Sequence, residues 1–152
     1  MIGANEISDR TELRALVDAY ASAVDTRDTA RFLSLFVPDA RLTIHQPGAT
    51  TPVTFTGHDE LPGALEPLSA YRATMHLMAN HTCELAADSA RGETYCLAHH
   101  LRPSGDGWED LVMVIRYGDR YVRPEDKWRF AARDVRIEWT ELRPASVEPL
   151  SF

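Results

Sequence analysis

Asp25, His76 and His100 are the residues of this chain whose types and spacing could move protons. Asp25 closes an amphipathic segment, whereas the histidines stand among apolar residues in "TMHLMANHTCEL" and "TYCLAHH". A buried imidazole needs partners for both ring nitrogens, and desolvation disfavours its charged form. A carboxylate bonded to such a ring fixes its tautomer and raises its basicity while burial opposes the charge, so the pair can be tuned close to neutral pH. His76 then reads as a general base, the role in which a well-placed group contributes typically ~10²–10⁴-fold. The competing bland readings are a satisfied structural histidine on a strand, and an Asp25 that merely caps the helix begun by "TRDTARF".

Strand alternation predicts Thr74, His76, Met78 and Asn80 on one face, and Thr94, Cys96, Ala98 and His100 on one face of the next strand. If both faces are concave, His76 and His100 share a cavity. His81 and His99 then point the opposite way, towards surface or interface roles, and His45 and His58 read as loop residues. No H-E-x-x-H is present, and the odd spacing of His76 and His81 separates them across the strand, so no metal site is expected. Cys83 and Cys96 lack C-x-x-C spacing and read as buried, reduced packing residues.

The elements that must position these groups follow from periodicity. Ile7, Leu13, Leu16, Val17, Tyr20, Ala21 and Val24 recur at helical spacing after cap candidates Ser8 and Asp9. "TRDTARFLSLFVPDA" predicts a short second helix with Phe32, Leu33, Leu35 and Phe36 apolar, stopped before Pro38, which places Asp25 at a helix–helix corner. "ARLTIHQ" and "PVTFTG" read as short strands, and "GHDELPGALEPLSAY" as an interrupted third helix. Four long strands follow, "ATMHLMANHTCEL", "GETYCLAHHLR", "DLVMVIRYGDRYV" and "KWRFAARDVRIEW". Helices first and antiparallel strands afterwards predict an α+β domain with the helices on one face of a curved sheet. Strands apolar on both faces suggest that the convex side meets a partner subunit. Tyr20, Trp128 and Trp139 read first as packing aromatics.

With 152 residues, 44% of them hydrophobic and 26% charged, the chain suits a single domain. No apolar run approaches the ~20 residues of a membrane span, and "MIGANEISDRTEL" lacks the pattern of a secretory leader, so a cytoplasmic protein without a membrane partner is expected. A net charge of −7 with scattered arginines argues against a nucleic-acid surface and leaves small molecules or proteins as partners.

"AVDTRD", "TMHLMAN", "YCLAHH" and "RYGDRYVRPEDKWRFAARDVRIEW", in that order, resemble the SnoaL-like family of the nuclear transport factor 2-like superfamily. The resemblance spans nearly the whole chain and is nearest to the branch of scytalone dehydratase, hexachlorocyclohexane dehydrochlorinase and bile-acid 7α-dehydratase. It implies a cone-shaped barrel of curved mixed sheet, no metal or organic cofactor, and a homo-oligomer, trimer or dimer. It also implies an acid–base pair at Asp25 and His76, and a second pocket histidine at His100, or at His99 after a one-residue slip. Tyr117 matches an aromatic position of the pocket, and Arg133 matches a pocket arginine by its distance from the tryptophan in "KWRFAAR". Tyr20 and Cys96 complete the substrate-contacting candidates. The family's scytalone-binding pattern has a tyrosine where this chain has Val24, so scytalone itself is not the expected substrate.

The implied activity is a dehydratase-type elimination on a hydrophobic cyclic molecule. Isomerisation or cyclisation in the same pocket, or a non-catalytic binding or assembly module, are the alternatives. The volume of the pocket depends on "GHDELPGALEPLSAY" and on the tail "RPASVEPLSF".

Overall fold

The computed structural model describes residues 4–146; residues 1–3 and most of the tail, 147–152, lie outside the described residues. Helix α1 (Ala4–Thr26) and the short α2 (Thr29–Ser34) lead into strand β1 (Phe36–His45) and its hairpin partner β2 (Val53–Thr56). A one-turn helix α3 (Gly57–Glu60) and 3₁₀ turns at Leu61–Ala64 and Glu66–Ala70 occupy the predicted interrupted helix, where Pro62 and Pro67 prevent a continuous one. Four long strands complete the chain: β3 (Ala73–Ala86), β4 (Ser89–Ser104), β5 (Gly107–Val122) and β6 (Arg129–Ala145). The sheet runs β2-β1-β6-β5-β4-β3, antiparallel except where β1 pairs with β6. The α+β class with a curved mixed sheet is therefore as expected, but the sheet stays open between its β2 and β3 edges and does not close into a barrel.

Helix α1 lies over the concave face, burying Leu13, Val17, Tyr20 and Val24. Tyr20 meets Phe32, Phe36, Tyr117 and Phe130 at ring-centroid distances of 5.7–6.3 Å, which locks α1 to α2 and to three strands at once. The exposed edge strand β3 presents carbonyls that no further strand can satisfy. Arginines of α1 satisfy several of them: Arg14 donates to the Met78 and Ala79 carbonyls at 2.9 and 2.6 Å, and Arg10 to that of Cys83 at 2.8 Å.

Local expectations needed correction at four places. Ser8 and Asp9 are not caps, because α1 already runs from Ala4; Asp9 instead accepts hydrogen bonds from Arg123 and from the buried Trp128 indole at 2.7 and 2.9 Å. Phe36 opens β1 rather than closing the second helix, since Pro38 two residues on favours extended backbone. Asp28, not Asp25, caps α2, accepting from the Arg31 N–H. His58 lies in α3 beside the Phe36 carbonyl, and His45 ends β1, so neither is a loop residue.

A β-bulge changes the faces of β3. Met78 pairs with Cys96 and His81 with Thr94, so two residues, Ala79 and Asn80, stand opposite Tyr95 alone. His81 is thereby turned to the same concave side as His76, with its Nε2 3.4 Å from the Tyr121 hydroxyl, and Asn80 is exposed. The odd spacing that predicted opposite faces fails because alternation counts only through an unbroken ladder. Trp139, read as a packing aromatic, lies 53% exposed on the convex face.

Tyr121 fits against the sheet only because residue 92 has no side chain. A Cβ on Gly92 would stand 2.9 Å from Tyr121 Cε2 and 3.1 Å from the Thr82 carbonyl oxygen. Gly92→Ala is expected to cost about 1–3 kcal/mol by overpacking, read as a lower urea midpoint with an unchanged slope. An unaltered midpoint would contradict this close approach.

Candidate active site

The C-terminal turn of α1 delivers Asp25 to the start of β3, where its carboxylate is shared among three donors. Thr74 Oγ1 donates to Oδ1 at 2.9 Å, the His76 backbone N–H to Oδ2 at 3.0 Å, and His76 Nδ1 lies 2.7 Å from Oδ1. The carboxylate can only accept, so Nδ1 carries the proton and Nε2 of neutral His76 keeps its lone pair. Burial works to raise the Asp25 pKa, but the hydrogen bonds from the His76 ring and backbone and from Thr74 outweigh it, leaving the carboxyl below its usual value. The His76 side chain is only 7% exposed.

Arg27, left-handed at φ 54°, holds this corner together. Its guanidinium donates to the Asp25 carbonyl at 2.6 Å, to Thr74 Oγ1 at 3.3 Å and to the Leu68 and Tyr71 carbonyls at 3.2 and 3.3 Å. Thr74 and Arg27 are parts of the site that residue chemistry alone did not single out. The available signals were their place inside the short motifs "AVDTRD" and "TMHLMAN" and, for Thr74, the alternation that put it on the face of His76.

His100 faces His76 across the β3/β4 ladder, with ring centroids 5.5 Å apart and planes at 79°. Its Nδ1 lies 3.2 Å from the Leu111 carbonyl, an obligate acceptor, so Nδ1 is the protonated nitrogen and Nε2 accepts. Burial, reinforced by the neighbouring His76, pushes the His100 pKa down to about 4. At neutral pH His100 is thus a hydrogen-bond acceptor rather than an acid, and the Tyr71 ring stands over it at 4.9 Å. His99 points to the other side, where Asp110 accepts from its Nδ1 at 2.6 Å and from the His100 N–H at 3.1 Å. Between His99 and His100, the concave position belongs to His100.

Arg133, Tyr117, Tyr20 and Cys96 are buried together deeper on the same face. Arg133 is fully buried and donates from Nε and Nη2 to the two Asp119 oxygens at 2.8 and 2.9 Å. Burial opposes its charge, but the Asp119 carboxylate outweighs that and holds the guanidinium above its ordinary pKa. The carboxylate that holds this pocket arginine is thus a core one. The Tyr20 and Tyr117 rings flank the guanidinium at 4.1 Å each. Its Nη1 has no hydrogen-bond partner among the described residues. Burial raises Tyr20 and Cys96 to about 12 and Tyr117 well above its usual value, so all three stay protonated at neutral pH. Among the described residues no cluster of three or more metal-ligating side chains occurs.

The concave face thus carries a hydrogen-bonded carboxylate–imidazole pair, a neutral accepting histidine and a buried cation held by a carboxylate. The chain matches the SnoaL-like domain over residues 5–134 and belongs to that family. An uncharacterized protein of Mycobacterium tuberculosis (strain ATCC 25618 / H37Rv) is 28% identical over 133 residues, which are 88% of either chain. Hexachlorocyclohexane dehydrochlorinase LinA-type3 from Novosphingobium barchaimii LL02 has the same fold, with a TM-score of 0.77 and 19% identity over 95% of this chain and 97% of that one. A protein assigned as a scytalone dehydratase from Novosphingobium aromaticivorans DSM 12444 superposes at a TM-score of 0.76 with 20% identity, covering 96% of this chain and 97% of its own. The fold is accordingly nuclear transport factor 2-like. No helix among the described residues is long and apolar enough to cross a membrane.

The two histidine and carboxylate environments separate in pH. The unfolded chain protonates His100 near pH 6.5 whereas the folded protein resists until about 4, so stability falls as pH drops through that window and levels below it. The loss is roughly 3 kcal/mol for a shift of this size, and His81, lowered first by burial, adds to it in the same direction. Asp25 contributes stability above the ordinary carboxylate pKa of 3.8 that is lost only at more acid pH. Urea titrations across pH 7 to 4 are expected to show the fall, and His100→Gln to flatten it; an equally steep fall in the variant would refute the assignment.

Proposed function

We propose that this SnoaL-like domain is a cofactor-independent lyase that performs a dehydratase-type elimination on a hydrophobic cyclic small molecule. The observation that carries the reading is the 2.7 Å bond between Asp25 and His76 Nδ1, which leaves a basic Nε2 on a buried ring. His76 Nε2 removes a carbon-bound proton made acidic by a neighbouring carbonyl. The electron pair forms the new double bond, and the adjacent C–O bond breaks. The imidazolium, stabilised by Asp25, returns its proton to the departing oxygen, which leaves as water. His100, as an acceptor, orients a substrate hydroxyl instead of protonating the leaving group. Tyr117 supplies a neutral donor, and Arg133 stabilises negative charge developing on the carbonyl oxygen. The dehydratase and dehydrochlorinase among its structural relatives lend this reading support; the substrate class is proposed here for this chain alone.

Cyclic β-hydroxy ketones are the first compounds to test, followed by mass spectrometry. Loss of a water mass is expected from the wild-type protein, with a decrease of at least ~10²-fold in His76→Gln and a marked loss in Asp25→Asn while both variants keep their circular dichroism. A product of unchanged mass would make the reaction an isomerisation, and turnover or binding untouched in both variants would leave a binding module.

Self-association belongs to the same proposal. Leu77 of β3, Leu97 of β4, Val114 of β5 and Trp139 of β6 form one cross-strand apolar row on the convex face, where Leu77 is 47% and Leu97 46% exposed. A trimer or dimer with closed symmetry would cover it. Sedimentation is expected to show an oligomer that Leu97→Glu dissociates, and a monomeric wild-type protein at micromolar concentration would exclude it.

A further inference from the structure

We infer a second ligand site on the convex face of the sheet, remote from Asp25 and His76, where Arg41, Arg91 and Arg120 bind a small molecule through a multiply charged phosphate group. The strand register assembles this row. Arg91 of β4 stands directly opposite Arg120 of β5, Arg120 opposite Ala132 of β6, and Ala132 beside Arg41 of β1. All three arginines are exposed, and none forms an ion pair among the described residues. Their neighbours on the same face do: Arg116 and Arg136 share Glu93 at 3.9 and 3.7 Å.

Like charges directly opposite one another destabilise a sheet. In a chain with a net charge of −7, carboxylates are not scarce, and although Glu84 stands opposite Arg91 in register, it forms no ion pair with it, so a row of three arginines without an ion pair among the described residues is a departure. The row also has the shape of a site. Arg41, Arg91 and Arg120 line a concavity of about 550 Å³ together with Thr43 and the small residues Gly118 and Ala132, with the Arg136 guanidinium close over Gly118. Asp134 lines the same concavity and lies 3.7 Å from His45.

Row length and charge select the ligand. Adjacent strands lie about 4.8 Å apart, so four of them set the outer arginines roughly 14 Å apart at their backbones, too wide for one carboxylate to engage them all. A diphosphate spreads several negative charges over two tetrahedral groups, and guanidinium pairs with such oxygens bidentately. A second concavity of about 570 Å³ shares Arg91 and Arg120 and is lined further by Leu85, Ala86, Val122 and Ala131. It would hold the less polar remainder of the molecule beside its charged end.

Inorganic pyrophosphate is the probe, titrated calorimetrically into the wild-type protein and into Arg91→Gln and Arg120→Gln, with Asp25→Asn as a control for the acid–base site. Saturable binding of one pyrophosphate per chain is expected, at least tenfold weaker in each arginine variant, weakened by salt and unchanged in Asp25→Asn. No saturable binding at millimolar pyrophosphate, affinity unaffected in both arginine variants, or citrate binding as tightly as pyrophosphate would overturn the inference. So would sedimentation showing that the arginine variants dissolve an oligomer, since the row would then be a contact between copies.

Discussion

The Asp119–Arg133 ion pair lies at the centre of the sheet, and the placement of nearly everything on the concave side depends on it. Both side chains are fully buried, and the two residues are register partners on β5 and β6. Removing two charges from water costs several kcal/mol per ion, and here the bidentate contact of Nε and Nη2 with both Asp119 oxygens offsets it, with the Tyr20 and Tyr117 rings flanking the guanidinium. A slip of one residue between β5 and β6 would leave the two charges on opposite faces of the sheet, so the pair specifies the register between these two strands. The Tyr121 hydroxyl donates to the same carboxylate at 2.8 Å, and Tyr20 of α1 stacks on the guanidinium. That stacking sets the position of α1 along the sheet. Five residues beyond Tyr20, a little more than one helical turn, Asp25 arrives beside β3.

Two opposing effects give the concave face its character. Desolvation drives His100, Cys96 and the tyrosines towards neutrality, and charge survives where partners outweigh burial. Asp25 survives through three donated hydrogen bonds and Arg133 through a bidentate carboxylate. The two histidines diverge for the same reason. One has a carboxylate on Nδ1 and the other a carbonyl, which makes the first a candidate base and the second an acceptor.

The convex face is zoned rather than uniform. Along the strands it passes from the Leu77–Trp139 apolar row, through the paired charges of Arg116, Arg136 and Glu93, to Arg41, Arg91 and Arg120, which form no ion pair among the described residues. Apolar and cationic surface on one sheet face serve different partners, because the first is covered by excluding water and the second by supplying negative charge. The zoning is invisible in composition, since the arginines are scattered in sequence and meet only through strand pairing.

Element types, the α+β order and the acid–base candidates were legible in the residues because they rest on local periodicity and on side-chain chemistry. The 3.6-residue pattern of α1, the alternation in β4 to β6, and a histidine among apolar residues each state their own environment. The sequence by itself thus determined which groups could carry charge or protons and which strand faces could be buried. What it did not determine was anything that depends on a partner distant in the chain. The bulge at Ala79 and Asn80 put His81 on the concave side, the Leu111 carbonyl decided that His100 accepts, and Asp119 decided that Arg133 is held by a core carboxylate. Only the tertiary structure brings such partners within hydrogen-bonding distance, and a side chain's protonation, orientation and burial are properties of that neighbourhood rather than of the residue.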